Sequence, residues 1–353
     1  MRLHHGVASA LGAALLFGVG TPLAKLLLAG TDPWLLAGLL YLGSGLGLTL
    51  WRIVRRNQPR ARLAPGLWPW LAGAVLSGGV AGPVLLMWGL AGMPASGAAL
   101  LLNAEGVFTA VLAWVVFREN FDRRILLGMA AIVAGALVLS WPGQTQAEAH
   151  FGDALPALAV LGACLAWGID NNLTRKVALT DAVWLASVKG LAAGATNLAL
   201  ALALGASWPK APLVGGALAV GLLAYGFSLV LFVVALRHLG TARTGAYFSV
   251  APFFGALVAV VGLGEPVTVP LLIAGALMAL GTWLHLRERH RHGHRHEALE
   301  HEHQHEHDLH HLHAHDGPTV QAPGAAHTHR HRHEPLHHDH AHFPDAHHRH
   351  GHH

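Results

Sequence analysis

The chain has 353 residues, of which 53% are hydrophobic and only 12% are charged, and its net charge is +4 with neutral histidines. A soluble domain would carry about twice that charged fraction, so the composition excludes an ordinary soluble fold and indicates a membrane protein. The positive charge is explained by loops between apolar segments, and we therefore predict no nucleic-acid partner. Cys164 is the single cysteine, so no disulfide can form within the chain.

Ten apolar stretches are each long enough to cross the bilayer core, which takes roughly 20 helical residues. They lie near 6–29, 33–52, 66–90, 94–117, 122–141, 153–176, 181–204, 212–236, 242–263 and 266–286. Asp122 before the fifth stretch, and Glu265 followed by Pro266 before the tenth, are typical helix starts. The sequence therefore predicts an all-α membrane protein with ten transmembrane helices.

Basic residues predict the orientation of these spans. Sixteen Arg and Lys residues lie near the amino terminus or after even-numbered spans, whereas the loops of the opposite side carry only Lys210. Because loops rich in Lys and Arg stay in the cytoplasm, we expect both termini to be cytoplasmic. The predicted location is the cell inner (plasma) membrane, crossed many times.

The two halves of the apolar region repeat each other. Several residues of the first half are identical to the residue 146 positions later in the second half. They are Phe108, Ala110, Ala113, Val115, Glu119, Ala130 and Gly135. Near the start the offset is 150, where Leu15, Gly18 and Leu23 recur and Lys25 meets Arg175. Five spans per half is an odd number, so the second repeat must be inverted. Inverted repeats are how many transporters build a central site. The predicted units are residues 6–141, residues 151–286 and a tail at 287–353.

Three stretches resemble a known family: FGVGTPLAKLLL at 17–28, LLNAEGVFTAVLAWVVFREN at 101–120 and AWGIDNNLTRK at 166–176. They resemble the drug/metabolite transporter superfamily, specifically its EamA-type domain, with one domain in each half. The resemblance implies alternating-access export or exchange of a small solute through a cavity between the halves, and it implies no particular solute. No nucleophile–base pair, phosphate loop or closed metal site is visible, so we predict neither an enzyme nor a required cofactor.

Glu105 is the most informative ionisable residue in the spans. It lies thirteen residues before Arg118, about 20 Å along a helix, which is near mid-membrane, and Thr109 follows it on the same face. A carboxylate at this depth is typical of a substrate or proton site. The alternative is a fixed ion pair with Lys189 that holds helices together.

A second polar group lies closer to the cytoplasmic end. Asp170 is about 8 Å from that end, so it could line an inner vestibule or pair with Arg175 or Thr174. Lys189, roughly 12 Å deep, could pair with Asp170 or Glu105, bind an anionic solute, or snorkel. For Lys25, near the opposite end of the first span, we expect snorkelling. The candidate substrate or coupling-ion residues are Glu105, Thr109, Asp170, Asn171, Asn172 and Lys189.

The tail holds 25 of the 30 histidines, with ten acids and few apolar residues, so we predict that it is disordered. Alternating imidazoles can chelate Zn²⁺, Ni²⁺, Co²⁺ or Cu²⁺. The candidate ligands are His301, His303, His305, His307, His327, His329, His331 and His333.

The spans contain no pair of Cys or His, so the leading hypothesis is a solute exporter whose tail binds metal. One alternative is a divalent transition-metal exporter supplied by the tail. The other is a metal-storing or metal-sensing membrane protein without transport. The sequence leaves the oligomeric state open.

Overall fold

The computed structural model describes residues 2–55, 63–117, 123–141, 154–177, 180–239, 244, 247–286, 291–295, 299–305, 327–333 and 337–341. The chain divides into two units, Met1–Glu288 and Arg289–His353. In its described ranges the first unit, the body, consists of helices joined by short turns and irregular segments, whereas the described parts of the tail are short strands.

The first half of the body begins with two long helices and continues with shorter, interrupted ones. Asp32 caps the second helix, where its carboxylate accepts hydrogen bonds from the Trp34 and Leu35 amides at 2.9 and 3.1 Å. The elements are α1 (Arg2–Leu28), α2 (Pro33–Val54), a 3-10 turn (Pro65–Leu67), α3 (Trp68–Ala74), a first π-helical segment (Val75–Ala81), α4 (Gly82–Gly92), α5 (Ala95–Leu101), α6 (Ala104–Phe117) and α7 (Arg123–Ser140).

The second half follows the same plan. Asp181 caps α9 by accepting a hydrogen bond from the Trp184 amide at 2.6 Å, and Gly264 ends α12 with a φ of +69°. The elements are α8 (Leu155–Thr174), a 3-10 turn (Arg175–Val177), α9 (Ala182–Ala203), α10 (Ala211–Gly221), a second π-helical segment (Leu222–Phe227), α11 (Ser228–Leu239), α12 (Ala251–Leu263) and α13 (Val269–Leu286).

Six helical stretches of the described residues are long and apolar enough to cross a membrane. They are Gly6–Leu28, Pro33–Val54, Pro65–Gly92, Ala95–Leu112, Val183–Ala203 and Ala211–Phe232. Three shorter apolar helices, Leu126–Ser140, Ala251–Leu263 and Val269–Leu284, lie in the predicted fifth, ninth and tenth spans, and α8 lies in the sixth. The prediction of an all-helical, multi-pass membrane body is therefore confirmed, while the number ten stays a prediction.

The helices of the two halves pack in matching pairs. Helix α2 lies along α9 and α7 lies along α13, whereas α1 contacts α11 and α12 in the same way that α8 contacts α4 and α6. The α2–α9 contact is close because it is lined by glycine: a Cβ on Gly190 would lie 2.8 Å from the backbone of Gly45. The site described below lies where α8 meets α6, α9 and the first π-helical segment.

Local irregularities recur in both halves. The two π-helical segments begin 147 residues apart, each within the third helical stretch of its half. A turn at residues 102–103 separates α5 from α6, and a turn at 249–250 precedes α12. Short π-helical insertions are frequent at functional sites, so these segments direct attention to the side chains around them.

The described tail residues form two antiparallel strand pairs. Strand β1 (Arg291–Arg295) pairs with β4 (His337–Ala341), and β2 (Leu299–His305) pairs with β3 (His327–His333). The prediction that the tail as a whole, residues 287–353, is disordered stays a prediction, because these strands cover only part of it. Backbone pairing needs no core, and the register sets Glu300 opposite Arg332 and Glu302 opposite Arg330, which favours pairing.

Candidate functional site

Helices α6 and α8 bring three of the predicted site residues together. The Asn171 amide donates hydrogen bonds to Glu105 Oε1 at 2.9 Å and to Thr109 Oγ1 at 3.2 Å. This contact is possible because Gly168 lies at the helix crossing, where a Cβ would come within 3.1 Å of Phe108 Cβ and of the Thr109 nitrogen. Asn171 is exposed and Glu105 is half-buried, so the group is open to a small molecule.

Asn172 has a different role from its neighbour Asn171. Its amide donates to the Gly168 carbonyl within α8 at 2.8 Å and to the Thr109 carbonyl of α6 at 3.1 Å. Asn172 is buried, and both amide hydrogens are used in these bonds. It therefore joins the two helices, and it is less accessible to a solute than Asn171.

Asp170 and Lys189 form an ion pair between α8 and α9. The Lys189 ammonium lies 2.5 Å from Asp170 Oδ1 and 2.7 Å from Oδ2, and it donates to Thr174 Oγ1 at 3.2 Å. The Thr174 hydroxyl donates to Asp170 Oδ1 at 2.8 Å. The two side chains are only 11% and 17% exposed, so Lys189 does not snorkel. Asp170 forms the predicted contact with Thr174, while the side chain of Arg175 lies outside the described residues.

Glu105 has no such counter-charge. Within the described part of the chain, no Lys or Arg side chain contacts its carboxylate, and the alternative of a Glu105–Lys189 ion pair is not found, because Lys189 is bound to Asp170. The cluster therefore combines a neutralised carboxylate, Asp170, with an uncompensated one, Glu105. A proton or an organic cation fits the second carboxylate.

The first π-helical segment contacts this cluster through its backbone. The Gly78 carbonyl accepts hydrogen bonds from the Tyr41 hydroxyl at 2.8 Å and from Trp167 Nε1 at 2.9 Å. The next carbonyl, of Gly79, accepts a hydrogen bond from the Asn197 amide at 2.9 Å. A Cβ on Gly78 would overlap the Asp170 carboxylate, so only glycine fits there.

Tyr41 and Trp167 were missed as site residues by the sequence reading. Their signal is their position, because both lie within spans, whereas membrane proteins usually place Tyr and Trp at span ends.

Lys25 corrects another expectation. Its ammonium donates to the carbonyls of Leu90, Ala91 and Met93 at 2.6, 3.2 and 2.9 Å. It therefore caps the carboxyl end of α4 and does not snorkel, because the free carbonyls there attract a cation. Glu265 caps the next helix, α5, by accepting from the Ala95 and Ser96 amides at 2.7 and 2.9 Å. Its repeat counterpart Glu119 lies outside the described residues.

The predicted metal ligands belong to the tail strands. His301, His303 and His305 lie on β2, His327, His329, His331 and His333 lie on β3, and His307 is outside the described residues. The strand register sets His301 opposite His331, His303 opposite His329 and His305 opposite His327. Among the described residues, no group of three or more His, Cys, Asp or Glu side chains is placed to hold a metal ion.

A polar cluster between apolar helices is typical of a membrane transport protein, and the comparisons agree. The model of the EamA-like transporter family matches residues 4–141 and 154–287, so the chain belongs to that family. An uncharacterized transporter of Methanothermobacter thermautotrophicus is 28% identical over 80% of this chain and 87% of its own. A probable terminal-alkyne amino-acid exporter of Streptantibioticus cattleyicolor is 32% identical over 65% and 75%.

The fold is also known from experiment. A protein of known crystal structure, 18% identical, superposes with a TM-score of 0.59 over 80% of this chain and 96% of its own. Family and relatives together identify a multi-pass membrane transporter of small solutes and not an enzyme. The resemblance to EamA-type domains, one per half, is thereby confirmed.

Proposed function

We propose that the protein is a secondary transporter of the inner membrane that exports or exchanges a small organic solute by alternating access. The observation that carries this proposal is the uncompensated Glu105 carboxylate, which lies in a polar cluster built from both halves of the body. The amino-acid exporter among the relatives supports a solute with an ammonium group, which such a carboxylate would bind.

An inverted relation of the two halves is part of this proposal, with both termini in the cytoplasm. It is supported by packing, since α2 and α9 lie against each other as counterparts, as do α7 and α13. It is also supported by the recurrence of the π-helical segments at equivalent positions. Two inverted halves can exchange conformations and so open a central site first to one side and then to the other.

Glu105 would couple the solute to a proton gradient. Of the described residues only Asn171 donates to its carboxylate, which leaves acceptor capacity for a proton or an ammonium group. The two cations would compete for one site, so release of the solute and uptake of a proton become alternating steps. In this scheme Asn171 and Thr109 orient the carboxylate, and the Asp170–Lys189 pair forms a fixed part of the wall.

The Glu105→Gln variant tests this role. Gln keeps the size and one acceptor but cannot be charged, so we expect efflux of amino acids driven by a pH gradient to fall by about tenfold or more in proteoliposomes. Glu105→Asp, which keeps the charge, is the matched control and should retain part of the flux. Unchanged gradient-driven flux in a properly inserted Glu105→Gln protein would remove Glu105 from the mechanism.

We further propose that the tail binds divalent transition metal as a cytoplasmic buffer. The facing histidine positions of β2 and β3 and the strict alternation of imidazoles support it. Zn²⁺, Ni²⁺, Co²⁺ and Cu²⁺ all suit such ligands. Metal export by the body, and storage or sensing without transport, remain the competing functions, and removal of the tail separates them from solute export.

A further inference from the structure

Five aromatic rings form a continuous row through the body. Tyr41 lies 5.5 Å from Tyr225, which lies 5.8 Å from Phe17, measured between ring centroids. Phe17 lies 5.4 Å from Phe248, which lies 5.0 Å from Phe232. The rings belong to α1, α2, the second π-helical segment, α11 and the helical residues 247–248 before α12, so both halves contribute. The row is therefore built by tertiary packing.

The rings at the centre of this row face the interior. Residues two apart on a helix point to nearly opposite sides. Leu15 and Leu223 are each 44% exposed, so their sides of the helices form the outer surface. Phe17 and Tyr225, two residues further on, consequently point inward. Both side chains are half-buried, and Gly18, Ala224 and Gly226 beside them are buried.

Tyr41 connects this row to the polar cluster. Its hydroxyl donates to the Gly78 carbonyl, and Gly78 lies directly against the Asp170 carboxylate. The Tyr41 ring also lies beside the Tyr225 ring, with 5.5 Å between the two centroids. Tyr41 is therefore the end of the aromatic row that lies next to the polar cluster, on the side of Asp170.

The side chains of the polar cluster and of the aromatic row are not repeated between the two halves. Phe17 corresponds to Trp167 at the offset of 150, and Ala251 corresponds to Glu105 at the offset of 146. Tyr225 corresponds to Gly78, since their π-helical segments begin 147 residues apart. Glu105 thus corresponds to an alanine and Tyr225 to a glycine, so neither the acid nor the tyrosine is repeated in the other half.

We infer that Phe17, Tyr225 and Phe248 bind the apolar part of the solute whose cationic group binds Glu105. The solute class is then an organic monocation with an apolar body, such as a primary amine on an aromatic or long aliphatic group. Aromatic side chains lining a pocket bind apolar groups, and the few polar groups fix the orientation. The inference rests on the proposed function and adds the chemistry of the solute.

Competition binding to the purified full-length protein tests the inference, with labelled phenethylamine as the probe and methylamine, butylamine and hexylamine as competitors. Each buried methylene strengthens binding, so affinity should rise by about tenfold or more from methylamine to hexylamine or phenethylamine. Tyr225→Ala and Phe17→Ala should each reduce the difference in affinity between methylamine and the larger amines. Phe227→Ala is the matched control, because Phe227 lies in the same π-helical segment but its ring faces Trp51, 6.2 Å away.

The outcomes separate the two proposals. Equal competition by all amines in the wild-type protein, or no binding of phenethylamine, would overturn the aromatic surface while leaving the Glu105 flux test intact. The inference would also be overturned if Phe227→Ala reduced the affinity difference between small and large amines as much as Tyr225→Ala does. A wild-type preference for apolar amines that persists in Glu105→Gln would support the aromatic surface and contradict the acidic site. The comparison of the amines on the wild-type protein does not depend on the folding of any variant.

Discussion

The Asp170–Lys189 ion pair shows how the protein gives two neighbouring carboxylates different properties. Asp170 accepts hydrogen bonds from the Lys189 ammonium and the Thr174 hydroxyl, and its side chain packs directly against Gly78. Among the residues that the structure describes, Glu105, one helix away, accepts a hydrogen bond from the Asn171 amide alone. Its carboxylate therefore keeps acceptor capacity for the solute or the proton.

We predict that the effects of substituting Asp170 and Lys189 on the stability of the protein depend on each other. Lys189→Met leaves the nearly buried Asp170 charge without a partner, which costs about 3–5 kcal/mol when a buried pair is broken. The double variant Asp170→Asn with Lys189→Met removes both charges and should recover part of that loss. Thermal melting in detergent measures the effect. If the double variant melts below Lys189→Met, the pair is not the source of the loss.

Sequence reasoning located these residues but did not decide their partners. The depth of Glu105, Asp170 and Lys189 follows from counting along the spans, and that part was predictable. Lys189 had two candidate acids, and the choice depends on helix rotation, because Asp170 and Asn171 are successive residues and point about 100° apart. Asp170 meets α9 and Asn171 meets α6, which no local pattern reveals.

Among the structural elements, the junction between α4 and α5 is held by charges at both helix ends. Lys25 of α1 binds the last carbonyls of α4, and Glu265, before α13, binds the first amides of α5. Each charge has the sign that the helix end attracts. Since Lys25 belongs to the first half and Glu265 to the second, the junction ties the two halves together at this end of the body.

We predict that neutralising either cap loosens this end. Lys25→Met and Glu265→Gln should each cost about 1 kcal/mol, and the melting temperature should fall by a few degrees. Lys210→Gln is the control, because Lys210 precedes α10 without a side-chain cap. A Lys25→Met protein that melts with the wild type, or a Lys210→Gln protein that falls equally, would show that the caps do not hold the junction.

The helices were predictable as elements, but their interruptions were not. A membrane-spanning helix needs an apolar stretch long enough to cross the bilayer. The predicted span 33–52 therefore nearly coincides with the observed helix Pro33–Val54. The π-helical segments depend on partners elsewhere. The Gly78 and Gly79 carbonyls accept hydrogen bonds from Tyr41, Trp167 and Asn197, which come from three other helices. Such long-range partners have no signature within the span itself.

At the scale of the whole molecule, the body and the tail follow different chemistry. The described spans offer carboxylates, amides and aromatic rings, whereas the tail offers imidazoles. A path for a transition metal usually has imidazole, thiolate or clustered carboxylate ligands within the membrane. The single cysteine, Cys164, is buried against the Leu101 carbonyl at 3.6 Å. The composition of the two units therefore favours separate roles for solute transport and metal binding.

Truncation after Arg289 tests this division. We expect the truncated protein to lose most Zn²⁺ and Ni²⁺ binding in calorimetry while amino-acid flux in proteoliposomes stays within about twofold of the full chain, because the body keeps Glu105 and the aromatic row. In the full chain, metal binding should weaken as the pH falls through about 6, since protons compete for the imidazoles.

The control replaces His327, His329, His331 and His333 with Asn in the full chain, which keeps the tail length but removes the imidazoles at these positions of β3. It should lower the number of metal ions bound and leave the flux of amino acids unchanged. A metal exporter would instead show Zn²⁺ or Ni²⁺ flux that falls with truncation. A metal-storing protein would show no flux of any solute in either form, because binding by the tail would be its whole function.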